Sequence, residues 1–145
     1  IDASVALCWL LGVGEVGATA TTLLRTHTEA RLPVLVSPSF HAAVASALHR
    51  STLGADPDVH LTPADAEAAV SVLVQFPFRV MQAPALYLTA LRLAARYRLA
   101  AFDHALTIAV AGLAGCDLWT ADATLLAALN GALPHVRPLA VYGVA

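Results

Sequence analysis

The pattern of hydrophobic and polar positions divides the chain into seven helical and four strand-like segments. In the helical segments, apolar residues recur every three or four positions, as they do on one face of a helix. These segments are residues 3–11, 15–29, 39–52, 63–76, 84–97, 103–113 and 123–129. The strand-like segments are a stub ending at residue 1, and residues 33–36, 117–120 and 138–142. Short strands that alternate with helices predict an α/β fold with a short, mostly parallel central sheet covered on both faces.

The connections between these segments contain no repeat or low-complexity linker. Thr62 followed by Pro63 is typical of a helix start, with Thr62 as the cap and Pro63 at the first helical position. Residues 53–60 contain Gly, Pro and two Asp, which favours an exposed loop, while the pattern leaves residues 75–84 undefined. A chain of 145 residues is long enough for one hydrophobic core and too short for two. We therefore expect a single domain spanning residues 1–145.

The composition is unusually apolar. Hydrophobic residues make up 59% of the chain and charged residues 12%, about half the charged share of an ordinary soluble domain. The longest runs of apolar or small residues, 3–14 and 105–116, are shorter than the roughly 18–20 residues of a membrane-spanning helix. No basic segment precedes the first run, as it would in a signal peptide, so we expect a cytoplasmic protein without a membrane partner. The excess apolar surface predicts a permanent partner or self-association, such as a homodimer.

The charge balance gives no general attraction to nucleic acid. The chain has no Lys, and its eight basic residues, all Arg, stand against ten acidic residues for a formal net charge of −2. The field of the whole chain would therefore repel phosphate, and RNA binding would need a local Arg group and a metal ion. The two cysteines, Cys8 and Cys116, belong to no Cys/His cluster typical of zinc, and we expect both to be buried as small apolar side chains.

Three of the ten acidic residues fall where α/β sheets build ligand sites. Asp2 ends the first strand, Asp122 follows the strand-like residues 118–120, and Asp103 opens a helix. Because ligands bind beyond the carboxyl ends of the strands, these three carboxylates can converge there around a cation. Taken singly, Asp103 and Asp122 are also good helix N-caps. Asp2 lies at a buried strand end, where its charge needs either a metal ion or a hydrogen-bonding cluster.

Four segments together resemble one protein family. Residues 1–5, IDASV, match an opening motif of a hydrophobic residue, Asp, a small residue and Ser or Thr. Residues 102–106, FDHAL, place an aromatic residue before a helix-starting Asp, and residues 118–122, LWTAD, close a strand on Thr-x-Asp. Residues 37–50, SPSFHAAVASALHR, resemble the helix that carries this family's catalytic Glu. Along nearly its whole length the chain thus resembles the PIN domains, and among them the VapC toxins of bacterial toxin–antitoxin pairs.

The resemblance implies a three-layer α/β/α fold and an endoribonuclease that uses Mg²⁺ or Mn²⁺, is held inactive by a cognate VapB-type antitoxin and is commonly dimeric. It implies Asp2 and Asp103 as the principal metal ligands, and Asp122 as a weaker ligand or an acceptor for metal-bound water. The family's catalytic Glu directly precedes the Val of its helix, and Ala43 stands at that position here. We therefore expect a weakened or inactive nuclease. The alternative is a catalytically dead PIN-fold module that binds RNA or antitoxin without cleavage.

The helix at residues 39–52 is expected to have two distinct faces. Its apolar face, which should enter the core, comprises Phe40, Val44 and Leu48. The face expected to point toward the site comprises Ala43, Ser46 and Arg50. From this second face Arg50 could reach an RNA phosphate, although a solvated surface Arg would have the same sequence signal.

Two hydroxyl side chains lie beside the candidate acids. Ser4 and Thr120 could bond a carboxylate or a metal-bound water, and Ser4 serves equally well as a cap of the first helix. His104 is expected on the surface, because adjacent helix residues diverge by about 100°. A phosphotransfer receiver domain also carries acids at strand ends, but such sites usually need a Lys, which this chain lacks.

Overall fold

The computed structural model describes residues 1–12, 14–54 and 59–143, which form seven α-helices, four short β-strands and one 3₁₀ helix. The helices are α1 (Ala3–Leu11), α2 (Gly14–Glu29), α3 (Phe40–Thr52), α4 (Pro63–Gln75), α5 (Leu86–Tyr97), α6 (Phe102–Ala114) and α7 (Ala123–Leu129), with the 3₁₀ helix at Leu139–Val141. The strands are β1 (Leu35–Val36), β2 (Arg79–Val80), β3 (Leu118–Thr120) and β4 (Val136–Pro138). All seven predicted helices are present, with ends within two residues of the predicted ones.

The strands form two parallel pairs. β1 pairs with β2 in the register Leu35 to Arg79, and β3 pairs with β4 in the register Leu118 to Val136. The predicted mixed α/β class with short parallel strands is confirmed, whereas the three-layer arrangement around one central sheet stays a prediction. Within the described residues no ladder joins the two pairs. Ile1 lies between them, and its backbone nitrogen donates to the carbonyl oxygen of Leu35 at 3.1 Å.

Two strand predictions were wrong in detail. Residues 138–142 were expected as a strand, but β4 ends at Pro138 and the chain then turns through the 3₁₀ helix. This turn is closed by the backbone nitrogen of Tyr142, which donates to Leu139 at 2.9 Å, and it places the Leu139 side chain in the core. The stub ending at Ile1 has no strand pairing of its own. β2 lies in the segment for which the sequence gave no definite pattern.

The start of α4 follows the prediction from its sequence. The Thr62 hydroxyl accepts from the Asp65 amide at 3.2 Å, while the Asp65 carboxylate accepts from the Thr62 amide at 3.0 Å. Pro63 takes the first helical position between them. Hydrogen bonds from Thr62 lower the pKa of Asp65 below its ordinary value, because they stabilise the charged carboxylate. The loop predicted at residues 53–60 lies partly outside the described residues.

The core is assembled mainly from the inward faces of the helices around the strands. The face predicted for α3 is confirmed, since Phe40, Val44 and Leu48 are each at most 2% exposed. Helix α6 is the most buried element, with every residue from Ala105 to Ala111 enclosed. Both helices contribute residues to the lining of the cavity described below.

The two cysteines do not share the burial predicted for them. Cys8 is half-buried, and burial together with the nearby charge of Asp2 raises the pKa of its thiol. Cys116 is exposed, contrary to the prediction. It follows Gly115, which ends α6 in a left-handed conformation and turns the chain out toward solvent before β3.

Within the described ranges, no individual helix has both the length and the apolar character needed to cross a membrane. Helices α1 and α2 reach that length and composition only when they are taken together, and their axes meet at a bend of 108°.

Candidate acidic site

The three predicted acids meet in one cavity. This cavity has a volume of about 220 Å³ and lies where α1, α3, α6 and the turn into α7 come together. Its polar lining includes the carboxylates of Asp2, Asp103 and Asp122. The remaining candidates that line it are Ser4, Ala43 and Arg50. Thr120 contacts Asp2 directly from the end of β3.

Asp2 forms the buried centre of the site. Its side chain is 5% exposed, and it is the N-cap of α1. One carboxylate oxygen, Oδ1, accepts from the Ser4 hydroxyl at 2.5 Å and from the Val5 amide at 3.2 Å. The other, Oδ2, accepts from the Thr120 hydroxyl at 2.5 Å. The hydrogen-bonding cluster that the sequence left open is therefore present, and it offsets the cost of burying this charge.

The two hydroxyls that contact Asp2 connect distant parts of the chain. The Ser4 oxygen accepts from the Ala121 amide at 2.8 Å, and the Thr120 oxygen accepts from the Asp122 amide at 3.0 Å. Each hydroxyl thus donates to the carboxylate and accepts from the backbone after β3. Ser4 does not cap α1, because Asp2 occupies that role. The network fixes the start of α1 against the turn into α7.

Asp122 uses both of its carboxylate oxygens for contacts within the protein. Oδ1 caps α7 by accepting from the Leu125 amide at 2.9 Å, as the cap alternative predicted. Oδ2 lies 2.9 Å from Nε2 of His104. The His104 side chain is 24% exposed and lines the cavity, so the expectation of an ordinary surface His was wrong. His104 contacts Asp122 from a different element, and the spacing of residues along α6 gives no sign of this contact.

Asp103 is the least constrained of the three acids. Helix α6 begins at Phe102 with Ala101 as its N-cap, so Asp103 lies in the first turn and does not cap the helix. Its side chain is exposed at the cavity rim and forms no hydrogen bond or ion pair with any described residue. Both carboxylate oxygens are therefore open to a ligand.

The α3 wall of the cavity carries no carboxylate, and its polar groups are Arg50 and, at the start of the helix, Ser37 and Ser39. Ala43, Ala47 and Arg50 line the cavity, whereas the exposed Ser46 does not. The prediction that Ser46 shares the site face was wrong, because positions four and seven after Ala43 lie closer to its direction than position three. Arg50 is exposed at the rim of the cavity, which the three Asp residues also line. Ala43 leaves its part of the wall with a methyl group and no oxygen donor.

The acceptor positions left free on the three carboxylates determine which of them could hold a hard divalent cation. A carboxylate has about four acceptor positions, of which Asp2 uses three and Asp103 none within the described residues. Mg²⁺ is commonly held by one or two carboxylates while it keeps several waters, so Asp2 and Asp103 meet that need. Asp122 keeps about two acceptor positions beside its contacts with Leu125 and His104, and these could accept hydrogen bonds from water or contact the cation. No three His, Cys, Asp or Glu side chains of the described ranges form a preassembled metal-binding group.

The chain matches no protein-family model, no curated protein and no solved structure. The PIN resemblance accordingly stays a prediction from the four sequence motifs.

We expect Asp122→Ala to lower the free energy of unfolding by about 1–2 kcal/mol, because α7 loses its N-cap. Asp122→Asn keeps an oxygen that can accept from the Leu125 amide, and we expect it to cost less than about 0.5 kcal/mol. Urea denaturation of both variants measures the difference. Equal losses would instead show that the charge toward His104 carries the stabilisation.

Proposed function

We propose that this chain is a metal-dependent endoribonuclease of the PIN type, the toxin of a VapBC-type pair, weakened or inactivated by Ala43. The observation that supports it best is the convergence of Asp2, Asp103 and Asp122 on one cavity. These residues lie up to 120 positions apart in the chain. Asp2 and Asp122 also cap helices, whereas Asp103 caps none and has no side-chain partner among the described residues. Ala43, which stands at the position of the catalytic Glu in the family that the chain resembles, lines the same cavity.

The roles follow from the hydrogen bonds of each acid. Asp2, held rigid by Ser4 and Thr120, and Asp103, open at the rim, would hold Mg²⁺ or Mn²⁺. When bound, such an ion polarises the scissile phosphate and promotes ionisation of water. Asp122, held by its contacts with Leu125 and His104, would accept a hydrogen bond from water at the site.

Substrate positioning would fall to Arg50. Among the described residues, Arg50 is the Arg that lines the cavity. Its guanidinium can pair with a phosphate oxygen at the rim. The formal net charge of −2 supplies no general attraction, so RNA affinity would depend on this contact and on the cation. Removal of the cation with EDTA should therefore stop cleavage. An assay of a structured RNA with Mn²⁺, with and without EDTA, tests the proposal.

The second candidate is a PIN-fold module that binds RNA or antitoxin without cutting RNA. The observation in its favour is the missing oxygen donor at Ala43 on the α3 wall. This candidate retains the cavity and Arg50 as a binding surface. Cleavage that stays absent after the Glu is restored would favour it over the nuclease.

The proposed toxin would act in the cytoplasm, as a homodimer that a VapB-type antitoxin holds inactive. Helix α5 offers an apolar surface for such contacts, since Tyr87, Leu88 and Leu91 are each more than half exposed. Exposed apolar side chains grouped on one helix are typical of interaction surfaces.

We expect the purified chain to run as a dimer or larger in light scattering at micromolar concentration. Leu91→Lys should shift it toward the monomer, because a charge would be buried in the interface. Leu113→Lys on α6 is a matched control, since Leu113 is also exposed but lies on another helix. A monomeric unmodified chain would contradict the expectation.

A further inference from the structure

The C-terminal end of α5 carries positive charge that no acidic residue near it in the chain balances. Residues 68–102 contain four of the eight Arg residues and neither Asp nor Glu. Two of the four, Arg96 and Arg98, stand at the end of α5, where both are exposed. Neither forms an ion pair with any described residue. Because the formal net charge of the chain is −2, this end of the helix is a local exception to the sign of the whole chain.

The same end of α5 lies beside the acidic cavity. Helices α5 and α6 pack closely against each other, and a short turn joins them. Arg98 ends α5 in a left-handed conformation, with φ at 52°, and so turns the chain toward α6. Three residues later, Ala101 lines the acidic cavity, as does Asp103. Because three residues span at most about 11 Å, the Cα of Arg98 lies within that distance of the Cα of Ala101.

Phe102 presents an exposed aromatic ring between Arg98 and the acids. It begins α6 and is 41% exposed, although α6 is otherwise the most buried helix. Its neighbours along the chain, Ala101 and Asp103, both line the cavity. An aromatic ring that is open to solvent beside cationic side chains is typical of surfaces that stack the bases of single-stranded RNA.

We propose that Phe102, Arg96 and Arg98 form a binding surface for an unpaired segment of RNA, which continues from the acidic cavity onto the end of α5. The inference rests on the proposed function, since it takes RNA to be the ligand. Phe102 would stack on a base, and the two guanidinium groups would pair with phosphate oxygens. In duplex RNA the bases are stacked on one another, so no base is free to meet Phe102. The surface therefore selects single-stranded over double-stranded RNA.

Arg31 offers a matched control for Arg98. Both residues are exposed, both lie just after a helix, and both have a left-handed backbone, with φ at 56° and 52°. Gln at either position removes one positive charge, but Arg31 does not line the acidic cavity. A difference in RNA binding between the two variants therefore reports the position of the charge and not the net charge.

The test measures binding of a short fluorescent single-stranded RNA in EDTA, which prevents cleavage, over a range of salt concentrations. We expect the unmodified chain to bind this RNA at least about tenfold more tightly than a duplex of the same sequence. Arg98→Gln should weaken binding about fivefold and reduce the slope of log affinity against log salt by about 0.7, the value for one phosphate contact on a single strand. Arg31→Gln should change neither quantity.

The role of Phe102 is tested by two substitutions in the same assay. Phe102→Leu should weaken binding of the single strand about tenfold, because it removes the stacking ring. Phe102→Trp should bind as tightly as the unmodified chain, because it keeps a ring that can stack. Equal losses in both variants would contradict a stacking role.

The outcomes separate this inference from the proposed nuclease. Equal RNA affinities of Arg98→Gln and Arg31→Gln would overturn the surface and leave RNA as the ligand. An unmodified chain that binds neither RNA would overturn both the surface and the RNA function. Polyglutamate that displaces the RNA at equal charge concentration would assign the surface to an acidic protein partner. The expected binding without any cleavage by Ala43→Glu would support the surface and contradict the nuclease alone.

Discussion

We expect Ala43→Glu to raise the rate of Mn²⁺-dependent RNA cleavage by about 100-fold or more, the usual scale for one well-placed catalytic group. Ala43 lines the acidic cavity from α3, and the three Asp residues line the same cavity. A Glu at this position would add the carboxylate that this wall lacks and would tighten Mn²⁺ binding. Initial cleavage rates with a structured RNA, with and without EDTA, measure the change.

Ser46→Glu provides the matched control for this experiment. It adds the same side chain to the same helix, but Ser46 is exposed and does not line the cavity. We expect its cleavage rate to stay within about twofold of the unmodified chain, because the new carboxylate lies outside the site. If Ala43→Glu cut RNA no faster than Ser46→Glu, the inactive binding module would replace the nuclease as the preferred function.

We expect Asp2→Ala to lower the free energy of unfolding by about 3 kcal/mol. The substitution removes the N-cap of α1 and leaves the half-buried Ser4 hydroxyl and the buried Thr120 hydroxyl without their acceptor. A lost cap costs about 1 kcal/mol, and each buried donor without a partner costs about 1–3 kcal/mol, partly offset by removal of a buried charge. Urea denaturation followed by circular dichroism measures the loss.

Asp103→Ala separates stability from function. The Asp103 side chain is exposed and has no hydrogen-bond partner among the described residues, so we expect its loss to change stability by less than about 0.5 kcal/mol. Asp2→Ala and Asp103→Ala should nevertheless both lose Mn²⁺ binding. Similar stability losses in the two variants would show that Asp103 is structural and that the assigned division of roles is wrong.

The helices could be predicted from the sequence because their signals are local. Apolar spacing and the Thr62–Pro63 start depend on neighbours along the chain, and both were confirmed. The strands are two or three residues long, too short for any alternation to appear. Arg79 and Val80 form β2 only because β1 lies beside them. The shift of β4 likewise depends on the turn that buries Leu139.

The sequence predicted that the three acids lie close together, but it predicted their individual contacts less well. Their positions near strand ends and in the four motifs correctly predicted that Asp2, Asp103 and Asp122 lie around one cavity. The sequence could not show that His104 contacts Asp122, because the two lie on different elements. The alternative that Asp103 is a helix cap was wrong, because α6 starts one residue before the predicted position.

Calorimetric titration with Mn²⁺ tests the central claim most directly, because it depends on the converging carboxylates and not on the missing Glu. We expect the unmodified chain to bind one ion weakly, Asp103→Asn to abolish binding, and Glu67→Gln to leave it unchanged. Glu67 is exposed on α4 and lies outside the acidic cavity, so it controls for the loss of one negative charge. Undiminished binding in Asp103→Asn, or no binding by the unmodified chain, would contradict the account.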